Sequence, residues 1–242
     1  MKIMENNISH ATPRGTIFIQ PHSDDMVISS CFLMRKEILP RPYYLLTVFG
    51  QSNWIDPIKK KGRRYRRNID ETTITHIRKT EDEKFAKSFG LTLLFSDLKD
   101  CLLRNGEVYF QPNKKLETKL VKQVRTIIHD SIKRYKVENI VAPFPSGRKQ
   151  HYDHRIVREA VKSLPGTLCS RFFVDDIPYS RITNPNKFRL HLFAQTKVDG
   201  INEKFCSMKV YDSQMCKLFF DQVEKITKQN QRHERLFVFN NR

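Results

Sequence analysis

With 242 residues, 39% of them hydrophobic, the chain has enough apolar material for one real core and sits at the upper end of what a single domain holds. An excess of 44 Lys and Arg over 26 Asp and Glu gives a formal charge of +18, which biases the molecule toward anionic partners without naming one. Five widely spaced cysteines without a CxxC argue against a disulfide framework or a cysteine zinc site, and no apolar run reaches the ~18 residues of a spanning helix.

Residues 1–15 read as a loose tail without the apolar stretch of a secretory signal, so the expected location is the cytoplasm. Thr16 to Gln20 (TIFIQ) reads as a short, fully buried strand, joined by a tight turn to a helix from about Asp24 to Glu37. Tyr43 to Phe49 is a second buried strand. Arg78 to Gly90 (RKTEDEKFAKSFG) has apolar residues at helical spacing and a terminal glycine, and Leu91 to Phe95 is a third strand. A long helix is predicted from Lys114 to about Tyr135, followed by a buried strand at Asn139 to Phe144 (NIVAPF). The last third is less regular: Arg171 to Val174 and Arg189 to Phe193 are strand-like, while Glu203 to Phe220 and Asp221 to Asn230 look helical. This alternation predicts an α/β fold, a Rossmann-like three-layer sandwich with a mostly parallel sheet and a site at the carboxyl ends of the strands. With no repeat and no linker, residues 16–242 read as one domain.

Two polar clusters follow buried strands: PHSDD after the first, and PFPSGRKQHYDH at the end of Asn139 to Phe144. His22 and Asp25, three apart across a strand-to-helix turn, can aim at one point above the sheet edge, one ligating while the other acts. His151 and His154, at i and i+3, share a face if a helix starts there. Two neutral imidazoles and a carboxylate suit Zn²⁺ with a fourth position open to water, as in catalytic zinc sites. Taken singly, each cluster has an ordinary explanation: Ser23, Asp24 and Asp25 suit a helix N-terminus, and histidines near helix starts are common. Their joint placement on the rim where ligands bind is what points to a metal.

Together these motifs resemble the PIG-L/LmbE-like zinc-dependent N-acetylglucosamine deacetylases. Further segments resemble the family in the same order: TVFGQSNW, the Arg-x-x-Glu helix RKTEDEKFAKSFG, FFVDDIPY and KVYDSQ, so the likeness runs from about Thr16 to Phe220. The resemblance implies a hydrolase that removes an acyl group, acetyl foremost, from an N-acylated amino sugar or sugar conjugate. It implies one Zn²⁺ per chain, or another divalent ion such as Fe²⁺, held by His22, Asp25 and His154. It also makes Asp24 the general base and His151 the group that stabilises the oxyanion or acts as an acid. Arg78, Asp100 and Tyr179 become substrate contacts, although a helix-surface arginine, a loop aspartate and a packed aromatic are their ordinary readings. The chain departs from the family at Ser23, Met26, Cys31 and Phe32, where proline, glutamate and a Gly-Gly pair are usual.

KKKGRRYRR, Lys59 to Arg67, reads as a solvated loop or as a flap that draws anionic substrates inward, and Trp54 just before it can stack on a sugar ring. Two rival functions stand beside the deacetylase: a nucleic-acid- or polyanion-binding protein using the basic surface, and a non-haem Fe(II) oxygenase using His22, Asp24 and a distant histidine. The first carries no nucleic-acid-binding signature; the second leaves Asp25 unexplained.

Overall fold

The computed structural model describes residues 15–55, 70–106, 117–147 and 150–240. The tail before residue 15 and the basic run lie outside the described residues, as does the predicted helix start at Lys114. Among the described residues no helix is long and apolar enough to cross a membrane.

Strand β1 (Thr16–Gln20) is central. Parallel to it, β2 (Tyr43–Thr47) and β3 (Leu91–Phe95) build outward on one side, and β4 (Asn139–Phe144) and β5 (Ser170–Asp175) on the other. β7 (His233–Phe239) pairs antiparallel with β5, and β6 (Leu190–Lys197) with β7, giving the order β3-β2-β1-β4-β5-β7-β6. The chain first travels one way from β1 and then returns to the other side for β4. The connections after β1 and β4 therefore diverge, opening a crevice at their carboxyl ends.

Alternation along β1 divides two cores. Ile17 and Ile19 face α4 (Thr118–Tyr135) and α5 (Tyr152–Lys162), while Phe18 faces α1 (Asp25–Arg35), α2 (Glu71–Phe89), α6 (Ile201–Met208) and α7 (Lys217–Gln229). Every residue of α1 from Asp25 to Met34 is buried, which explains why it is apolar all round rather than striped. Where the family's Gly-Gly is usual, the Phe32 N–H donates to the Glu234 carboxylate at 2.8 Å and the Cys31 thiol lies 3.4 Å from it, so β7 is tied into the helix.

The structure corrects several boundaries. α2 starts at Glu71, well before Arg78, because Asp70 accepts the Thr73 N–H at 2.7 Å as an N-cap and Ile74 is buried; these offset the β-branched residues of that turn. The stretch from Glu203 to Phe220 is two helices, since residues 209–216 turn inward to dock Tyr211 and Ser213 on α2. β7 was not anticipated because Glu234 and Arg235 interrupt its apolar run. Both charges are paired, Glu234 with Lys204 and Arg235 with Asp175, each at 2.6 Å. A short helix, α3 (Cys101–Asn105), also follows Asp100.

Candidate metal centre

The first rim turn leaves β1 at Gln20 and enters α1 at Asp25. The His22 backbone N–H donates to the Asp25 carboxylate at 2.8 Å, which holds Asp25 over the strand end. Asp24 occupies the N-cap position at φ 103°, in the left-handed region, yet its side chain caps nothing. Holding a non-glycine residue there costs about 1–3 kcal/mol, so capping does not account for it; its carboxyl instead lines a cavity of about 400 Å³. The turn is braced by Asp82 of α2, whose two oxygens accept from Gln20, Ser23, Thr47 and Tyr211 at 2.7–2.9 Å, filling all of its lone-pair directions.

The second rim turn leaves β4 and places His151 at the N-cap of α5, with His154 inside the first turn, so the two histidines do share one face. His22 Nδ1 and His154 Nε2 are 3.2 Å apart, His154 Nε2 is 3.3 Å from Asp25 Oδ1, and His22 Nδ1 is 3.6 Å from Asp25 Oδ2. Donors bound at ~2.1 Å with tetrahedral angles stand about 3.4 Å from one another, so the two imidazole nitrogens have the spacing of neighbouring zinc ligands, with one Asp25 oxygen near each.

The outer ring nitrogens decide the chemistry of the inner ones. His22 Nε2 donates to Asp153 at 2.9 Å and His154 Nδ1 donates to Asp176 at 2.6 Å. Carboxylates only accept, so each ring spends its proton outward and turns a bare nitrogen toward the other and toward Asp25. Three converging lone-pair bearers in a buried site require a positive charge. Without a metal a proton takes that place: burial would depress His22, but its hydrogen bonds to Asp153 and Asp25 outweigh this and raise it to about 10. The donor set is that of a divalent metal.

His151 stands against both of these rings, with centroids 4.6 Å from His22 and 4.6 Å from His154. Burial, and then the charges of those two rings, hold it well below the usual histidine range, so it is a neutral imidazole. Asp24 is pushed well above the ordinary carboxylate range by burial and then by Asp25, opposed by Arg78. A carboxylate so displaced accepts a proton more readily than an exposed one.

Arg78, Asp100 and Tyr179 all line the cavity. Arg78 is not a surface residue: it is buried, donating to the Ser52 hydroxyl at 2.8 Å and the Ser23 carbonyl at 3.1 Å. Asp100 is buried and accepts the Leu103 N–H at 2.9 Å as the cap of α3. The Tyr179 ring meets His154 edge-on, with centroids 5.2 Å apart. Opposite the polar floor, the wall is built from Trp54, Leu102, Pro178, Leu218 and Phe219. Residue-type reasoning passed over Asp153 and Asp176. Their signal was present: Asp153 lies inside HYDH, and Asp176 inside FFVDDIPY.

A family model described as PIG-L, GlcNAc-PI de-N-acetylase, matches residues 17–164. The chain belongs to the PIG-L family. Among PIG-L relatives, the 2'-N-acetylparomamine deacetylase of Streptomyces fradiae is 27% identical over 215 residues, covering 82% of this chain and 73% of that one. A teicoplanin deacetylase solved in a zinc-inhibited form superimposes with a TM-score of 0.67 at 17% identity, covering 92% of this chain and 96% of the other. The N,N'-diacetylchitobiose deacetylase of Pyrococcus horikoshii gives 0.63 at 15%, covering 94% and 84%. At such identities the structural likenesses establish the shared α/β fold. That fold, parallel across five strands, is not the jelly roll of Fe(II) oxygenases, so neither that reading nor the nucleic-acid one is favoured.

Proposed function

We propose that this PIG-L protein is a zinc-dependent hydrolase that removes an acetyl or related acyl group from an N-acylated amino sugar or sugar conjugate. The observation that carries the reading is the pair of bare imidazole nitrogens 3.2 Å apart beside Asp25, each ring fixed from behind by its own carboxylate. The deacetylase relatives act on amino-sugar compounds by their descriptions, and one was crystallised as zinc-inhibited, which supports this substrate class and this ion.

His22, Asp25 and His154 would hold the metal. When bound there, zinc supplies a Lewis acid for the acyl oxygen and lowers the pKa of water to about 7. Asp24 takes the proton from the attacking water and passes it to the leaving amine, a shuttle suited to its raised pKa. His151, neutral and beside both ligand rings, donates a hydrogen bond to the oxyanion as the acyl carbon becomes tetrahedral. Asp153 and Asp176 are positioning residues: they fix which nitrogen of each ring faces inward. Asp24 and His151 thus serve opposite ends of the scissile amide, and the apolar wall leaves the glycan's less polar face room to stack. Trp54, 40% exposed at the mouth, supplies the flat surface for that stacking. Arg78 and Tyr179 act from the rim on sugar hydroxyls or an anionic group, and Asp100 shapes the wall they face. The proposed setting is the cytoplasm.

The test is metal content of the purified protein followed by release of free amine from a panel of N-acyl sugars. Asp24→Asn should retain the metal and lose turnover; normal turnover in that variant would remove Asp24 from its role.

A further inference from the structure

We propose that Cys101, His151 and Asp153 form a second metal site beside the first, one that takes a thiophilic divalent cation and inhibits the enzyme. The Cys101 thiol, a His151 ring nitrogen and an Asp153 carboxylate oxygen lie within 4.8 Å of one another, and all three residues are buried. His151 is 6% exposed, and its Nδ1 is shielded from solvent with no hydrogen-bond partner among the described residues. A buried nitrogen left bare carries a desolvation penalty that an incoming cation removes.

Asp153 keeps room for such an ion. It accepts from His22 Nε2 and from the Cys101 N–H on Oδ2, and from Arg104 on Oδ1, at 2.7–2.9 Å. A carboxylate offers about four lone-pair directions, so beyond these three contacts one is left, and the Cys101 thiol that shares it gives up its proton when the ion enters. Thiolate, imidazole and carboxylate together select zinc, cadmium or cobalt over magnesium and calcium, which favour all-oxygen shells. Binding replaces the S–H bond by a sulfur–metal bond and releases the proton to solvent, with no change in oxidation state. Burial and the neighbouring Asp153 and Asp100 hold the Cys101 thiol protonated, so the entering ion displaces that proton. Inhibition follows from what the ion takes: His151, pinned beside Cys101 and Asp153, loses its freedom to follow the oxyanion. Only the inhibition rests on the deacetylase reading; the binding does not.

The experiment titrates metal-free protein with Co²⁺ and with Cd²⁺, following the sulfur-to-metal charge-transfer band and counting ions retained per chain. Wild type should hold two ions, with the band developing as the second enters. Cys101→Ser should lose the band and the second ion while keeping the first, and His154→Ala should keep the band while losing the first. In turnover assays, excess Zn²⁺ should lower the wild-type rate roughly 10²-fold or more relative to one equivalent, the scale of losing an oxyanion donor; in Cys101→Ser that ratio should approach unity. A wild-type titration with no band, or a Cys101→Ser protein with an undiminished band, overturns the proposal. A band in wild type whose loss in Cys101→Ser accompanies a single bound ion and no deacetylation would sink the proposed function while leaving the thiol site standing.

Discussion

The two rim turns meet around the same point but hold their functional groups by different means. The turn after β1 works through backbone: a left-handed Asp24 and an N–H from His22 to Asp25 fix both carboxylates within four residues. The turn before α5 relies on side chains brought from elsewhere, since His154 needs Asp176 from beyond β5, and Asp153 is itself held by Arg104. Asp153 in turn reaches across to orient His22, so the second turn governs a proposed ligand of the first. A loop shaped by its own backbone and braced from behind by Asp82 thus carries the proposed base, while a loop assembled by side-chain contacts sets ring orientation and, on the proposed ligand set, affinity for the ion.

That contrast can be broken by substitution, and the largest effects belong to the first turn. Asp24→Asn should lower kcat by about 10²–10⁴ with metal content unchanged, as expected for loss of a general base; a loss of metal instead would show that Asp24 ligates. His151→Ala should lower kcat by roughly 10²–10³ with the first ion retained. Asp176→Asn and Asp153→Asn should weaken metal binding by about 10–100-fold, the usual scale for the partner behind a histidine ligand, measured by competition with a chelator. Equal effects of these two and of Asp24→Asn on metal affinity would erase the distinction between the turns.

Two smaller effects sharpen it. The acid limb of kcat/KM should lie above the ordinary carboxylate range, because burial and Asp25 raise Asp24 and the base works only when ionised. Activity therefore rises with pH through that inflection. Arg78→Gln, which removes a charge that lowers Asp24, should move it further up. Asp24→Gly, which relieves the left-handed strain, should raise stability by about 1 kcal/mol in denaturant unfolding while abolishing activity; His151→Ala, with ordinary backbone, should bring no such gain.

Much of this was legible in residue order. β1, β2 and β4 were readable because strands buried on both faces are continuous apolar runs, and β3, an edge strand only partly buried, was readable from its apolar run alone. The proposed ligands were readable because they cluster at the ends of such runs. What escaped was held by partners distant in the chain. Glu234 and Arg235 make β7 look polar until Lys204 and Asp175 are seen to neutralise them. Arg78 looks like a helix-surface residue until Ser52 and the Ser23 carbonyl are found against it. Asp153 and Asp176 resemble any acidic residue near a histidine until the ring orientations are known.

The position of β1 between β2 and β4 has a consequence for synthesis. A ribosome delivers β1, β2 and β3 well before β4, so the growing polypeptide carries an open flank on β1, the middle one of the five parallel strands, until Asn139–Phe144 has been made. On the proposed ligand set, cation capture waits longer still, until Asp176 has emerged to turn His154, which makes loading a late event in the birth of the molecule rather than a seed for it.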